Sequence, residues 1–253
     1  LYSLFGEIIN SIHEADPSRP VAMANGDLQY LDIIAEECKG LDVFGANVYR
    51  GRSARDLFDV VKEKLGVPVM FTEFGADAYD ARRMREDDVV QARYLLAQWQ
   101  EIYEQSRGKG RAGNAVGGLV FQWSDGWWKH LQEENLDVHD THASWPNRGY
   151  AEDFVAGRNN MNEEWWGICA KGPPDGRGLF DVHPRAAYYA LQQAFRLAPY
   201  APGADLAAIR AHFAVIDPAE HAIRSRADRA ALRTSVLERA GVTGARLSFQ
   251  TFS

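Results

Sequence analysis

The chain has 253 residues, of which 46% are hydrophobic and 25% charged, the composition of an ordinary globular protein and not of a disordered or fibrous one. A net charge of −7 argues against a nucleic-acid partner. No run approaches the roughly 18 apolar residues of a membrane-spanning helix. Cys38 and Cys169 are the only cysteines, so there is no disulfide framework and the compartment cannot be read from them.

Residues 1–15 have helical period, with Leu4, Ile8, Ile9 and Ile12 on one face. A first strand is expected at residues 21–24, running into Asn25 and Asp27, followed by a helix over residues 28–39. The run at residues 41–50 has the same form and ends on Asn47 and Tyr49, with a second helix over residues 54–65. Val69, Met70 and Phe71 lie between Pro68 and Gly75, as in a strand buried on both faces. That strand delivers Glu73 to its carboxyl end. A carboxylate there is costly to desolvate, so it either caps a turn, pairs with an arginine or does chemistry.

A further helix is expected at residues 89–103 on the spacing of Val90, Tyr94, Leu95 and Trp99, and a further strand at residues 116–121, ending in Gln122, Trp123 and Asp125. Strand and helix alternate, which predicts a parallel sheet. In a (β/α)8 barrel the carboxyl ends of the strands converge on the active face. Asn25, Asp27, Asn47, Tyr49, Glu73, Gln122, Trp123 and Asp125 would then meet although they are far apart in sequence.

Three of these strand ends resemble the second half of the catalytic barrel in the glycoside hydrolase clan that contains family 2 β-galactosidases and β-glucuronidases and family 5 glucanases. The stretch Thr72, Glu73, Phe74, Gly75 is similar to the clan's T-E-[FY]-G pattern, in which the glutamate is the nucleophile ending strand seven. Asn47 and Tyr49 are similar to its N-x-Y pattern at strand six, whose hydroxyl supports the nucleophile. Trp123 matches the sugar-platform tryptophan of strand eight. The resemblance implies a retaining hydrolase of β-linked sugars, with Glu73 as nucleophile and Tyr49 supporting it. Asn25, Asp27, Asn47, Trp123, Asp125, Trp127 and Trp128 would bind a carbohydrate substrate, and neither a metal nor any other cofactor is required. A transglycosylase of the same clan and a non-catalytic carbohydrate-binding barrel remain as alternatives.

The clan's acid/base glutamate follows an asparagine at the end of strand four, whereas the first strand here matches strand five. The chain is therefore expected to be the C-terminal half of a barrel, strands five to eight, cut from a longer polypeptide and inactive alone. Export is one expectation for such an enzyme, and oligomeric state is not legible. Asn162, Glu163 and Glu164 form an Asn-Glu pair beside aromatics, but they follow strand eight. They are read as a turn whose acids cap amides, with Glu163 and Glu164 as subsite candidates.

Six of seven tryptophans fall between residues 122 and 166, a clustering that suits sugar stacking. Trp127 and Trp128 are adjacent and cannot both face one ring in extended backbone, so one is read as platform and the other as packing. Residues 129–178 read as long loops over the barrel mouth. Asp137, His139, Asp140 and His142 lie in them at short spacing, read as turn residues and not as metal ligands. Residues 171–181 read as turns. A helix is expected over residues 183–196, with Pro184 in its first turn; the resemblance implies that it is the helix that closes the barrel, which sets the end of the catalytic unit near residue 198. Residues 199–253 are expected to form a helical extension, over 204–216 and 218–240, leading into a further β segment at 242–252.

Overall fold

The computed structural model describes residues 1–129 and 139–239, apart from the side chains of residues 173–174 and 232–239. The β segment expected at 242–252 and Asp137 lie outside the described residues. The elements, in chain order, are α1 (Tyr2–Ala15), β1 (Ala22–Gly26), α2 (Leu31–Glu37), β2 (Val43–Val48), α3 (Leu57–Lys64) and β3 (Val69–Phe74). They continue with β4 (Tyr79–Asp80), β5 (Arg85–Glu86), α4 (Asp88–Glu104), β6 (Ala115–Val120) and a 3-10 turn (Glu163–Trp165). The rest are β7 (Cys169–Pro174), β8 (Phe180–Pro184), α5 (Ala186–Ala194), α6 (Leu206–Ala214) and α7 (Pro218–Arg239).

The fold is mixed α/β. Its central sheet has four strands in the order β1-β2-β3-β6, all parallel, so each lies beside the next strand of that sheet in chain order. Neighbouring parallel strands force their carboxyl ends to one edge, and that edge is where Asn25, Tyr49 and Glu73 emerge. Among the described residues, β4 with β5 and β7 with β8 form two small antiparallel ribbons beside it. No helix among the described residues is long and apolar enough to cross a membrane.

Local chemistry explains the element ends. Asp87 caps α4 by accepting the Val90 amide at 3.2 Å, and Asp205 does the same for Ala208 at 2.8 Å in α6, satisfying amides that lack intrahelical partners. After α3 the chain turns through Gly66 at φ +67°, with its amide bonded back to Val61, a left-handed ending that glycine adopts without steric cost.

The main core lies between the sheet and its helices and includes Phe44, Phe58, Phe71, Phe74, Leu95 and Trp99. Ile209, Phe213 and Ile216 join the same core, so the extension beyond residue 198 packs onto the sheet's helical layer, α6 on α4 and α7 on α5. A second, smaller cluster gathers Ala76, Tyr94, Tyr150, Met161 and Trp166 with Tyr49, Phe121 and Trp145. It sits past the carboxyl ends of β2, β3 and β6.

Two expectations are corrected. Residues 171–181 are not turns alone, because β7 and β8 pair as a hairpin about them with Lys171 opposite Val182. Pro184 ends β8 instead of entering the helix, and Arg185 follows as an extended N-cap. The Arg185 side chain is fully buried, and its salt bridges fix the backbone there before α5 can begin.

Candidate active site

Glu73 owes its direction to an irregularity in β3. Ala46 pairs with Phe71 and Asn47 with Glu73, so one extra residue is accommodated on β3, a bulge that re-aims side chains. Phe71 and Phe74 consequently both enter the core, three residues apart, while Thr72 and Glu73 between them stay half-buried.

The two sequence motifs meet residue by residue. Tyr49 donates its hydroxyl to Glu73 Oε2 at 2.9 Å, and Thr72 donates its hydroxyl to Asn47 Oδ1 at 2.7 Å. Burial raises the pKa of the Tyr49 hydroxyl, and the Glu73 charge beside it raises it further. Tyr49 is therefore a permanent donor at neutral pH. No other side chain among the described residues hydrogen-bonds Glu73, which leaves Oε1 available for other chemistry.

Aromatic rings surround this pair, and they are not those singled out in the sequence. Trp166 meets the Tyr49 ring edge-on at 4.7 Å, Trp145 does so at 6.3 Å, and Phe121 lies 6.0 Å from Trp166. Trp145 and Trp166 arrive on the long loop after β6, which is pinned over the strand ends. Asn147 Nδ2 donates to the Tyr49 carbonyl at 2.8 Å, and the Tyr150 hydroxyl donates to the Gly75 carbonyl at 2.6 Å. The signal that could have found these rings was the tryptophan clustering itself. Loop residues carry no periodicity to say which of them turns inward.

Glu163 also reaches this group. Its Oε1 accepts the Trp145 indole N–H at 2.9 Å, and Lys129 lies 3.9 Å from its Oε2. Glu164 points elsewhere: it is buried, its Oε2 accepts the Asp140 amide at 2.5 Å, and burial pushes its carboxyl up to about 7.

The other expected site residues are placed apart from Glu73 or held by neighbours. Asn25 Oδ1 accepts from the Tyr2 hydroxyl, and its amide donates to the Asp27 and Gln29 carbonyls. Asp27 is gripped by Arg50 through two hydrogen bonds of 2.7 and 2.5 Å. Asp125 is 0% exposed and bound by Arg185 at 2.5 and 2.8 Å, so it is an internal anchor with no opening toward a sugar.

Trp123 is 60% exposed and rests against Tyr188 of α5, away from Tyr49. Strand β6 ends at Val120, so the alternation that would keep Trp123 on the side of Phe121 has already lapsed. Trp127 is buried between His139 and Phe180. Trp128 is exposed, with the Lys171 ammonium over its ring. Of this adjacent pair, one packs and one is exposed under Lys171, and neither stacks on the rings around Glu73.

A cavity of about 380 Å3 lies beyond Tyr150, lined by Asp77, Tyr79, Arg83, Tyr94 and Asp153 among others. Glu73 and Tyr49 do not line it. Within it Asp77 already accepts the Tyr79 and Asn162 amides, and Asp153 accepts the Ala81 amide. Its acids are engaged in holding loops.

No protein-family model and no curated protein matches this chain. The functional reading therefore rests on the site itself.

Proposed function

We propose that residues 1–198 are the C-terminal half of a (β/α)8 barrel, and that the protein to which they belong is a retaining glycosidase acting on β-linked sugars. The observation that carries this reading is the hydrogen bond from Tyr49 to Glu73 at the carboxyl ends of adjacent parallel strands, inside a group of aromatic rings. The strand order supports a barrel, since a sheet wound in one direction places each strand beside its successor. The reversal of order that marks a doubly wound sheet does not occur among these four strands.

In this reading Glu73 attacks the anomeric carbon through Oε1 while Tyr49 holds Oε2. A hydroxyl donor favours the ionised carboxylate and fixes its line of approach. The covalent glycosyl-enzyme is then released by water, or by a sugar hydroxyl in a transglycosylase. A second carboxyl group about 5 to 5.5 Å away protonates the leaving oxygen and later activates water. The resemblance places that group on a strand preceding β1. Trp145 and Phe121, both partly buried, offer apolar faces to the C–H surfaces of a sugar ring, and the buried Trp166 packs behind them against Tyr49.

Glu73→Gln in the full-length protein is expected to reduce turnover of activated aryl β-glycosides by at least about 1,000-fold, with the unfolding midpoint unchanged. Hydrolysis near the wild-type rate in that variant would remove the assignment.

A further inference from the structure

Glu163 is oriented without being used up. Trp145 fixes its Oε1 at 2.9 Å, whereas the 3.9 Å from Lys129 Nζ to Oε2 exceeds a hydrogen bond. The two charged groups therefore face each other across a gap, and both keep solvent access, 28% for Lys129 and 31% for Glu163. The Lys129 ammonium stands 4.6 Å from the centroid of the Phe121 ring, and Phe121 and Trp145 both pack into the group around Tyr49. The Glu163 charge makes the smallest contribution, after burial, Glu73 and Tyr150, to raising the Tyr49 hydroxyl pKa. Glu163 is thus joined, through the Trp145 ring, to the group that holds Tyr49 and Glu73.

We propose that Glu163 and Lys129 form a two-point clamp for a vicinal diol on a neutral pyranose bound beside Glu73. This inference rests on the glycosidase reading and names the part of the substrate that the site recognises. A carboxylate only accepts and an ammonium only donates, while a hydroxyl does both. Two adjacent ring hydroxyls bridge the gap, one donating to Oε2 and the other accepting from Nζ. The ring's C–H face then lies toward Trp145 and Phe121. A sugar carrying its own negative charge is disfavoured, because it would meet two carboxylates against one ammonium.

The test is a coupling cycle on the full-length protein with Glu163→Gln, whose amide oxygen still accepts from Trp145. The substrate is the aryl β-glycoside turned over fastest, together with its set of monodeoxy analogues. Glu163→Gln is expected to lower kcat/KM about 10- to 100-fold on the parent glycoside, the range for a hydrogen bond to a charged group. On the analogue lacking the clamped hydroxyl the substitution is expected to cost less than about threefold. Lys129→Met is expected to show the same pattern on the neighbouring deoxy position.

Equal losses on every analogue, or no loss on any, overturn the clamp. An active Glu73→Gln overturns the glycosidase reading instead, and an inactive Glu73→Gln without Glu163 coupling overturns the clamp alone. If no glycoside is turned over, the same cycle is read from Kd for free sugars by tryptophan fluorescence. Absence of sugar binding there defeats both.

Discussion

Gly75 shows how little room surrounds Glu73. A Cβ at that position would lie 2.3 Å from the Phe121 carbonyl oxygen and 3.3 Å from the Trp166 ring, so the strand end must be bare for β3 to close on the chain leaving β6. Gly75→Ala is expected to destabilise the protein by roughly 1–3 kcal/mol through overpacking, read as a lower urea midpoint, and to weaken activity by shifting Glu73. An unchanged midpoint would show that the contact relaxes freely. Gly75, Glu73 and Tyr49 were legible in the sequence because strand ends place residues of neighbouring strands side by side. Trp145, Trp166 and Glu163 were not, since a loop brings residues together by hydrogen bonds such as Asn147 to Tyr49, which no spacing encodes. Asp125 misled for a related reason. It was expected at a strand end, but β6 stops at Val120, and its partner, Arg185, is 60 residues away.

That pairing governs how the elements are joined. Arg185, at the start of α5, binds Asp125 after β6, the Gly167 carbonyl before β7 and Glu86 on β5 at 2.7 Å. Burial tends to raise the Glu86 pKa, yet Arg185 and Arg229 hold it down to about 2. One guanidinium thus fastens four segments, and its removal leaves Asp125 buried without its cation. Arg185→Met is expected to cost about 3–5 kcal/mol, the penalty for breaking one side of a buried pair. Combining it with Asp125→Leu should return part of that loss. A wild-type midpoint for Arg185→Met would mean that the charges are solvated in a way the burial does not suggest. The strands of the sheet were predictable as short apolar runs bounded by glycine and proline and the helices from their period of 3.6, whereas the β7–β8 hairpin was hidden by its glycines and prolines. There the pairing is decided by tertiary contacts around Arg185 and not by local preference.

For the molecule as a whole, opposing carboxylates set the pH at which it is most stable. Glu164 has its pKa raised from 4.5 to about 7 by burial, so between those values the folded protein holds a proton that the unfolded chain has released. Stability therefore falls as pH rises through that window, by about 3 kcal/mol at most from this group. Glu86 and Glu104 are depressed to about 2, Glu104 chiefly by hydrogen bonds from Arg210, and what they contribute is present above pH 4.5 and lost as the pH drops toward 2. Self-repulsion acts with Glu164 on the alkaline side, because the net charge grows from near zero at the pI of about 5.5 to −7 at pH 7. The urea midpoint is accordingly expected to peak near pH 5 and to decline toward pH 8. Glu164→Gln should flatten that decline, since an amide of the same shape can still accept from the Asp140 amide and has no proton to lose. A profile that rises steadily from pH 5 to pH 8 in the wild type, or one that Glu164→Gln leaves unaltered, would place the controlling group elsewhere.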